Sequence, residues 1–195
     1  MASIGLSKPY IAAYAAEGGT VTYTGGKTIG KATTLELSLE SGSDNILYGD
    51  NGPAETDVQF SGGTLTLGTT ELDAAVLAEL LGLQTQELSV TGMTTEDATE
   101  AIWNNQQVVP YVGFGAIAKK QINNVIKWVG IVYPKVQFQN LNESLETQGE
   151  TITWNTPTIE ATIMTDDTTA QNWKRMSSPL DSEADALLYI KSVLA

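Results

Sequence analysis

The sequence predicts a mainly β fold with flanking helices, an antiparallel sandwich or partly open barrel, and three observations carry that prediction. Several stretches alternate apolar and polar residues with the period of two that a strand with one buried face requires. Glycine pairs at Gly18-Gly19 and Gly25-Gly26 punctuate them as turns, and the sheet resumes across a third pair, Gly62-Gly63. Helical spacing with caps occurs in one stretch after the early strands and in another near the carboxyl end. With 195 residues, 42% of them hydrophobic, and no cysteine, the chain reads as one domain, 1–195, able to bury a core without disulfide staples.

In order, Tyr10 to Ala16 and Thr20 to Thr24 are short strands about Gly18-Gly19, with Gly25-Gly26 making the next turn. ATTLELSLE then sets Thr33, Leu35, Leu37 and Leu39 on one face and Thr34, Glu36, Ser38 and Glu40 on the other. Val58 to Phe60 and TLTLG at Thr64 to Gly68 resume the sheet. A helix follows, with Thr70 as N-cap, Asp73 in the capping box, a stripe of Leu72, Val76, Leu80 and Leu83, and Gly82 near its end. From Gln84 to Gln107 the signals weaken; most of it reads as loop with at most a helical turn in TTEDATEAIWNNQQ.

PYVGFGAIA and VIKWVGIVYPKVQF form the strongest hairpin, about a polar tip running from Lys119 to Asn124. Its second arm is apolar on both faces, which places it inside the domain or inside an interface. TITWNTPTIEATIM reads as two strand segments whose parity changes at Pro157, with Ile159, Ala161 and Ile163 on the apolar side of the second. The closing helix has Ser182 as cap, Asp185 in the box and an apolar face of Ala184, Leu187, Leu188, Ile190 and Leu194.

Between the early strands, SGSDNILYGDNGPAETD (Ser41 to Asp57) puts Ile46-Leu47-Tyr48 inside turn formers and acids. Solvent disfavours the triplet, and a core disfavours Asp44, Asp50, Asn51, Glu55 and Asp57. A loop of this composition is expected to reach onto another subunit, its triplet buried there and its acids forming the rim.

Charge and composition narrow the functions. The formal net charge of -13 opposes gripping nucleic acid or anionic lipid. Absence of histidine and cysteine removes the usual hydrolase base, the commonest transition-metal ligand and thiol chemistry. The amino terminus lacks secretory signal features and no run is long enough for a membrane span, so a soluble protein made in the cytoplasm, without a membrane anchor, is expected. No basic residue lies between Lys31 and Lys119, and no acid from Ala101 to Asn142, where Lys119, Lys120, Lys127 and Lys135 stand. That segregation is either ordinary surface solvation or a polar molecule whose acidic side meets a neighbour's basic side.

Individual motifs yield little chemistry. GGKT at Gly25 to Thr28 has Val21 where a phosphate loop requires its first glycine, and strands surround it, so it reads as a hairpin turn. GFG at Gly113 to Gly115 lacks a third glycine and a following helix; it relieves crowding where strands or subunits approach. Asp44, Asp50 and Asn51 carry oxygen ligands suited to calcium but not the calcium-loop spacing. No carboxylate pair is singled out for catalysis, no cofactor is implied, and a non-enzymatic role is expected. Lys174-Arg175 beside Trp173 is too small a basic footprint for nucleic acid.

Taken together, KPYIAAYAAEGGTVTYTGGKTIGKATTLELSLESGSDNILYGDN, PYVGFGAIAKKQINNVIKWVGIVYPKVQF, TQGETITWNTPTIEATIM and WKRMSSPLDSEADA resemble, in that order and across the chain, the major tail proteins of long-tailed, non-contractile bacteriophages. The resemblance implies a β-sandwich of the tail tube type, six copies closing into a ring, and rings stacking into the virion conduit through which the genome leaves. It implies assembly in the bacterial host cytoplasm, partners among tape-measure, tail chaperone, terminator or baseplate proteins, and DNA that passes without specific binding. It also implies that Ser41 to Asp57 reaches the adjacent ring and that the Tyr111 to Tyr133 hairpin contributes to the inner wall. Lys119 and Lys120 are expected to approach the acidic Glu40 to Asp57 segment of a neighbour. The alternative is a β-sandwich ligand- or carbohydrate-binding module using Trp103, Trp128, Trp154 or Trp173 as platforms.

Overall fold

The computed structural model describes residues 2–41, 45–49, 52–57, 60–92, 94, 98–144, 146–147 and 156–195, except for the side chains of 2, 41, 45–49, 52–57 and 140. The elements are β1 (Ala2–Glu17), β2 (Thr20–Thr28), β3 (Ala32–Ser41), β4 (Asn45–Gly49), β5 (Gly52–Asp57), β6 (Phe60–Thr69) and α1 (Ala74–Leu81). There follow β7 (Gln84–Leu88), β8 (Ala98–Ile102), β9 (Val112–Ile122), β10 (Val125–Asn142), β11 (Thr158–Met164), β12 (Arg175–Met176) and α2 (Glu183–Val193). The fold is mainly antiparallel β with two helices, as the alternation implies.

The main sheet has the order β2-β1-β9-β10-β11-β6-β3, with β12 paired to β10. The 18-residue β10 organises it. Its first part pairs with β9, from Val125↔Ile122 to Val136↔Val112, and its last part with β11, from Lys135↔Met164 to Asn142↔Thr158. A register shift between Tyr133 and Val136, at Pro134-Lys135, moves the apolar set from odd to even numbers: Ile131, Tyr133, Val136 and Phe138 all meet one core. A bulge is where a strand tolerates proline and where parity can change without changing face.

That core gathers Phe114, Phe138, Leu65, Leu67 and Ile159 with Leu77, Leu80 and Leu81 of α1. The opposite face of β1, β9 and β10 carries Tyr10, Ala12, Ile117 and Val132 against Ala186, Ile190 and Leu194 of α2. The stretch Val112 to Ala118 is therefore buried on both sides within its own chain. In the second arm Val129, Val132 and Tyr133 are buried as well, so the two-sided apolar character of its middle has an intramolecular cause, while Val125 and Ile126 near the turn are exposed.

Glycine makes that helix contact possible. A Cβ on Gly113 would come within 2.5 Å of Leu194, one on Gly115 within 2.5 Å of Ile190, and one on Gly130 within 2.7 Å of Tyr189. The crowding expected of the GFG motif is thus helix on sheet.

Other expectations need correction. Gly25-Gly26 lies inside β2, where the register slips between Ile11↔Lys27 and Ala13↔Thr24, so GGKT is a bulge and not a turn. Helix α1 is capped at Asp73, not Thr70, with no side-chain cap bond; Gly82, at φ 65°, ends it as expected. In α2 the Ser182 hydroxyl accepts from the Asp185 N–H as expected. Its buried face is Ala186, Ile190 and Leu194, while Leu188 is 62% exposed and Ala184 is exposed. Leu187, Ile190 and Leu194 pack as expected, and Ala186 takes the place of Ala184 and Leu188 in the contact.

Residues 84–107 hold a hairpin, β7 with β8, in place of a loop with a helical turn. Every residue of β7 is exposed, so no apolar alternation announced it; backbone pairing and a Gln86 Nε2 donation to Glu100 Oε2 (2.7 Å) hold it. Ile159, Ala161 and Ile163 are buried as the parity of β11 requires. Val58, Ile152 and Trp154 lie outside the described residues.

Candidate assembly surfaces

Strands β3 and β6 pair down to Ser41↔Phe60, and from that end the chain leaves as β4 and β5. These pair only with each other in the sheet topology, from Asn45↔Asp57 to Gly49↔Gly52, as a separate two-stranded sheet. The segment expected as a loop is thus a β-arm continuing the β3–β6 hairpin. Ile46 stands opposite Thr56, Leu47 opposite Glu55 and Tyr48 opposite Pro53. Asp44, Asp50 and Asn51 lie outside the described residues, as do the side chains of Ile46, Leu47, Tyr48, Glu55 and Asp57. The calcium reading falls there too.

Lys119 and Lys120 are not at a tip. The turn is Asn123-Asn124, with φ of 49° and 64°, the left-handed pair a tight hairpin needs and asparagine tolerates. Both lysines lie within β9, between Gly5 and Ser3 of β1 on one side and Trp128 and Lys127 of β10 on the other. Lys127 is ion-paired to Asp181, whereas Lys119 and Lys120 make no ion pair among the described residues. Lys174 is pushed below the usual lysine range by burial and then by the nearby Lys120 charge. Around this end Ile4, Val125 and Ile126 are 49%, 52% and 41% exposed, a cluster of aliphatics on a hairpin that water does not favour.

At the other end of β10, two adjoining hollows of about 520 and 530 Å³ share Trp103, Leu141 and Glu143 in their walls. Leu72, Leu77 and Ala101 continue the first and Gln107 and Gln139 the second. Glu71 also lines the first and Glu160 the second, and among the described residues neither is lined by a basic side chain. Trp103 stands 55% exposed there. No local pattern in the sequence announces the hollow, which exists because α1, β8 and the end of β10 meet.

A third cluster is internal bracing. The Tyr14 hydroxyl donates to Asp167 Oδ2 (2.6 Å) and accepts from the Asp167 N–H (2.9 Å), while Lys135 Nζ donates to the same Oδ2 (2.7 Å). Lys135 also lies over the Tyr14 and Tyr111 rings. Hydrogen bonds from Lys135 and then Tyr14 hold the Asp167 carboxyl below its usual range. Burial, followed by the Asp167 hydrogen bond, pushes Tyr14 up to about 12. Beside it Asp166, nearly buried, accepts from Thr168 and Asn172 and shapes the loop after β11. All these groups satisfy one another, and the cluster ties β1, β10 and that loop.

Of the other tryptophans, Trp154 lies outside the described residues, and the remaining two are packed against neighbouring side chains. Trp173 stacks on Phe60 with ring centroids 4.5 Å apart, and Trp128 packs beside the α2 contact. Among the described residues no three His, Cys, Asp or Glu side chains gather to hold a metal, and no helix is long and apolar enough to cross a membrane. No family model matches the chain, and no curated protein matches it.

Proposed function

We propose that this chain is a structural protein that self-assembles, without catalysis, into stacked hexameric rings of a phage tail tube. On this reading the antiparallel sheet curls as a β-sandwich of the tail tube type, and DNA passes through the tube unbound. Tape-measure, chaperone, terminator or baseplate proteins are the partners, and the assembled protein resides in the virion. The observation that carries the proposal is the β-arm: β4 and β5 form their own two-stranded sheet beyond Ser41↔Phe60, and an isolated hairpin is marginal in water unless it packs on something. An Ile-Leu-Tyr triplet on such an arm favours a sister copy as that something. The strong segregation of acids and lysines along the chain supports a polar, directional association.

The geometry of the arm supplies the test. Because Ser41 and Phe60 are paired, residues 42–59 can be replaced by Asn-Gly, closing β3 and β6 with a tight turn. Negative-stain images of the purified wild type at high concentration should show rings or tubes. The arm-deleted variant should remain folded by circular dichroism and fail to stack. Tubes from the deleted variant, or a wild type that stays a lone globule at every concentration, would overturn the proposal.

A further inference from the structure

The two ends of β10 present complementary surfaces. At its start, cross-strand pairing places Ile126 with Gln121, next to Lys119↔Trp128, on one face of the hairpin; Val125 with Ile122, next to Lys120↔Lys127, falls on the other. Behind the Asn123-Asn124 turn each face of the hairpin thus presents one exposed aliphatic, Ile126 beside Gln121 or Val125 beside Ile122, with a lysine behind it. At the finish of β10 lies the hollow floored by Leu72, Leu77, Ala101 and Leu141, with exposed Trp103 in its wall and Glu71 and Glu143 beside it. These surfaces stand at opposite ends of the 18-residue β10, with the whole of its pairing to β9 and β11 between them, so one copy does not bring its own hairpin end to its own hollow.

We propose that the β9–β10 hairpin end of one copy seats in the Trp103 groove of the next. Val125 and Ile126 meet Trp103, Leu72 and Leu141, and Lys119 and Lys120 face Glu71 and Glu143. The occupant is a second copy of this chain because the apolar end and its cations match the apolar floor and its anions. The lysine partners are thus the groove carboxylates, in place of the acidic arm that the sequence suggested. A knob and a socket at opposite ends of one strand make a heterologous contact, which propagates as a ring or a filament and does not close as a two-fold dimer. This deepens the self-assembly reading and rests on it.

Charge reversal on each side tests the contact. K119E/K120E makes knob and groove both acidic, and E71K/E143K makes both basic. Each variant alone should self-associate at least about tenfold more weakly than wild type by sedimentation velocity at low salt. Mixed in equal amounts they should assemble again, since each knob then meets a groove of opposite sign. Since the chain has no cysteine, Gln121→Cys and Glu143→Cys supply the only thiols, and a short bis-maleimide should join the two variants in preference to either with itself.

If wild type assembles but the reversed variants assemble equally well, or their mixture does not recover while both remain folded, this contact is wrong and the self-assembly reading survives. A wild type that stays monomeric with no preferential cross-link overturns both. A monomeric wild type with preferential Gln121–Glu143 cross-linking keeps the contact as a weak one and removes the tube.

Discussion

The two helices cover the sheet in opposite ways. Helix α1 fills a core of large side chains, where Leu77, Leu80 and Leu81 share one buried cluster with Leu65, Leu67 and Phe138. Helix α2 lies on a bed where Gly113, Gly115 and Gly130 bring backbone to the helix. A surface built of volume is damaged by removing atoms; one built of absence is damaged by adding them.

The largest expected effect tests the first half of that contrast. Leu80→Ala leaves a cavity at a fully buried site and should cost about 2–5 kcal/mol in denaturant unfolding. Gly115→Ala adds one methyl against Ile190 and should cost about 1–3 kcal/mol. Pairing it with Ile190→Ala should recover part of that loss. If the double variant is as unstable as the sum of the singles, the helix does not sit where the glycines allow it. Ser182→Ala removes only the cap bond to Asp185 and should lower stability by about 1 kcal/mol, leaving the glycine contact intact.

Smallest near neutrality are the titrations of the bracing cluster and of Tyr133 in the core. Burial raises Tyr14 and Tyr133 to about 12 from the ordinary phenol value of about 10. The folded state holds those protons more tightly, so their stabilisation is complete below about pH 10 and is lost as pH rises through about 12. Thermal unfolding followed with tyrosinate absorbance should show the two events together. Asp167 has the reverse sign. Its carboxyl is held below the ordinary value, so its contribution is complete above about pH 4 and disappears as pH falls through the lowered value. Asp167→Asn should flatten the acid limb of the stability profile and, because the Asp167 hydrogen bond also raises Tyr14, shrink the Tyr14 part of the alkaline limb while leaving the part due to the buried Tyr133.

Legibility followed the periodic signals. Strand β3, β11, the β9–β10 hairpin and both helices were readable because alternation, caps and turn residues act locally. Strands β7 and β8 were not, since all of β7 faces solvent and its pairing writes no apolar period. The arm stands out in the sequence by its Ile-Leu-Tyr triplet yet reads there as a loop, because Gly49, Gly52 and the surrounding acids look like turn residues whether or not β4 pairs with β5. Of the candidate contact residues, Lys119 and Lys120 proved to be strand residues behind the turn, while the groove at Trp103 had no sequence signature.

By itself the sequence determined the β-rich class, the two helices, the absence of thiol and imidazole chemistry and the separation of acids from lysines, all properties of local pattern or composition. Only tertiary structure decided that β10 serves two neighbouring strands, that three glycines form a bed for α2, and that a hairpin end and an acid-lined groove stand at opposite ends of one strand. Local pattern records which face of an element is apolar. It does not record which distant element comes to cover that face, and those decisions depend on contacts between residues far apart in the chain.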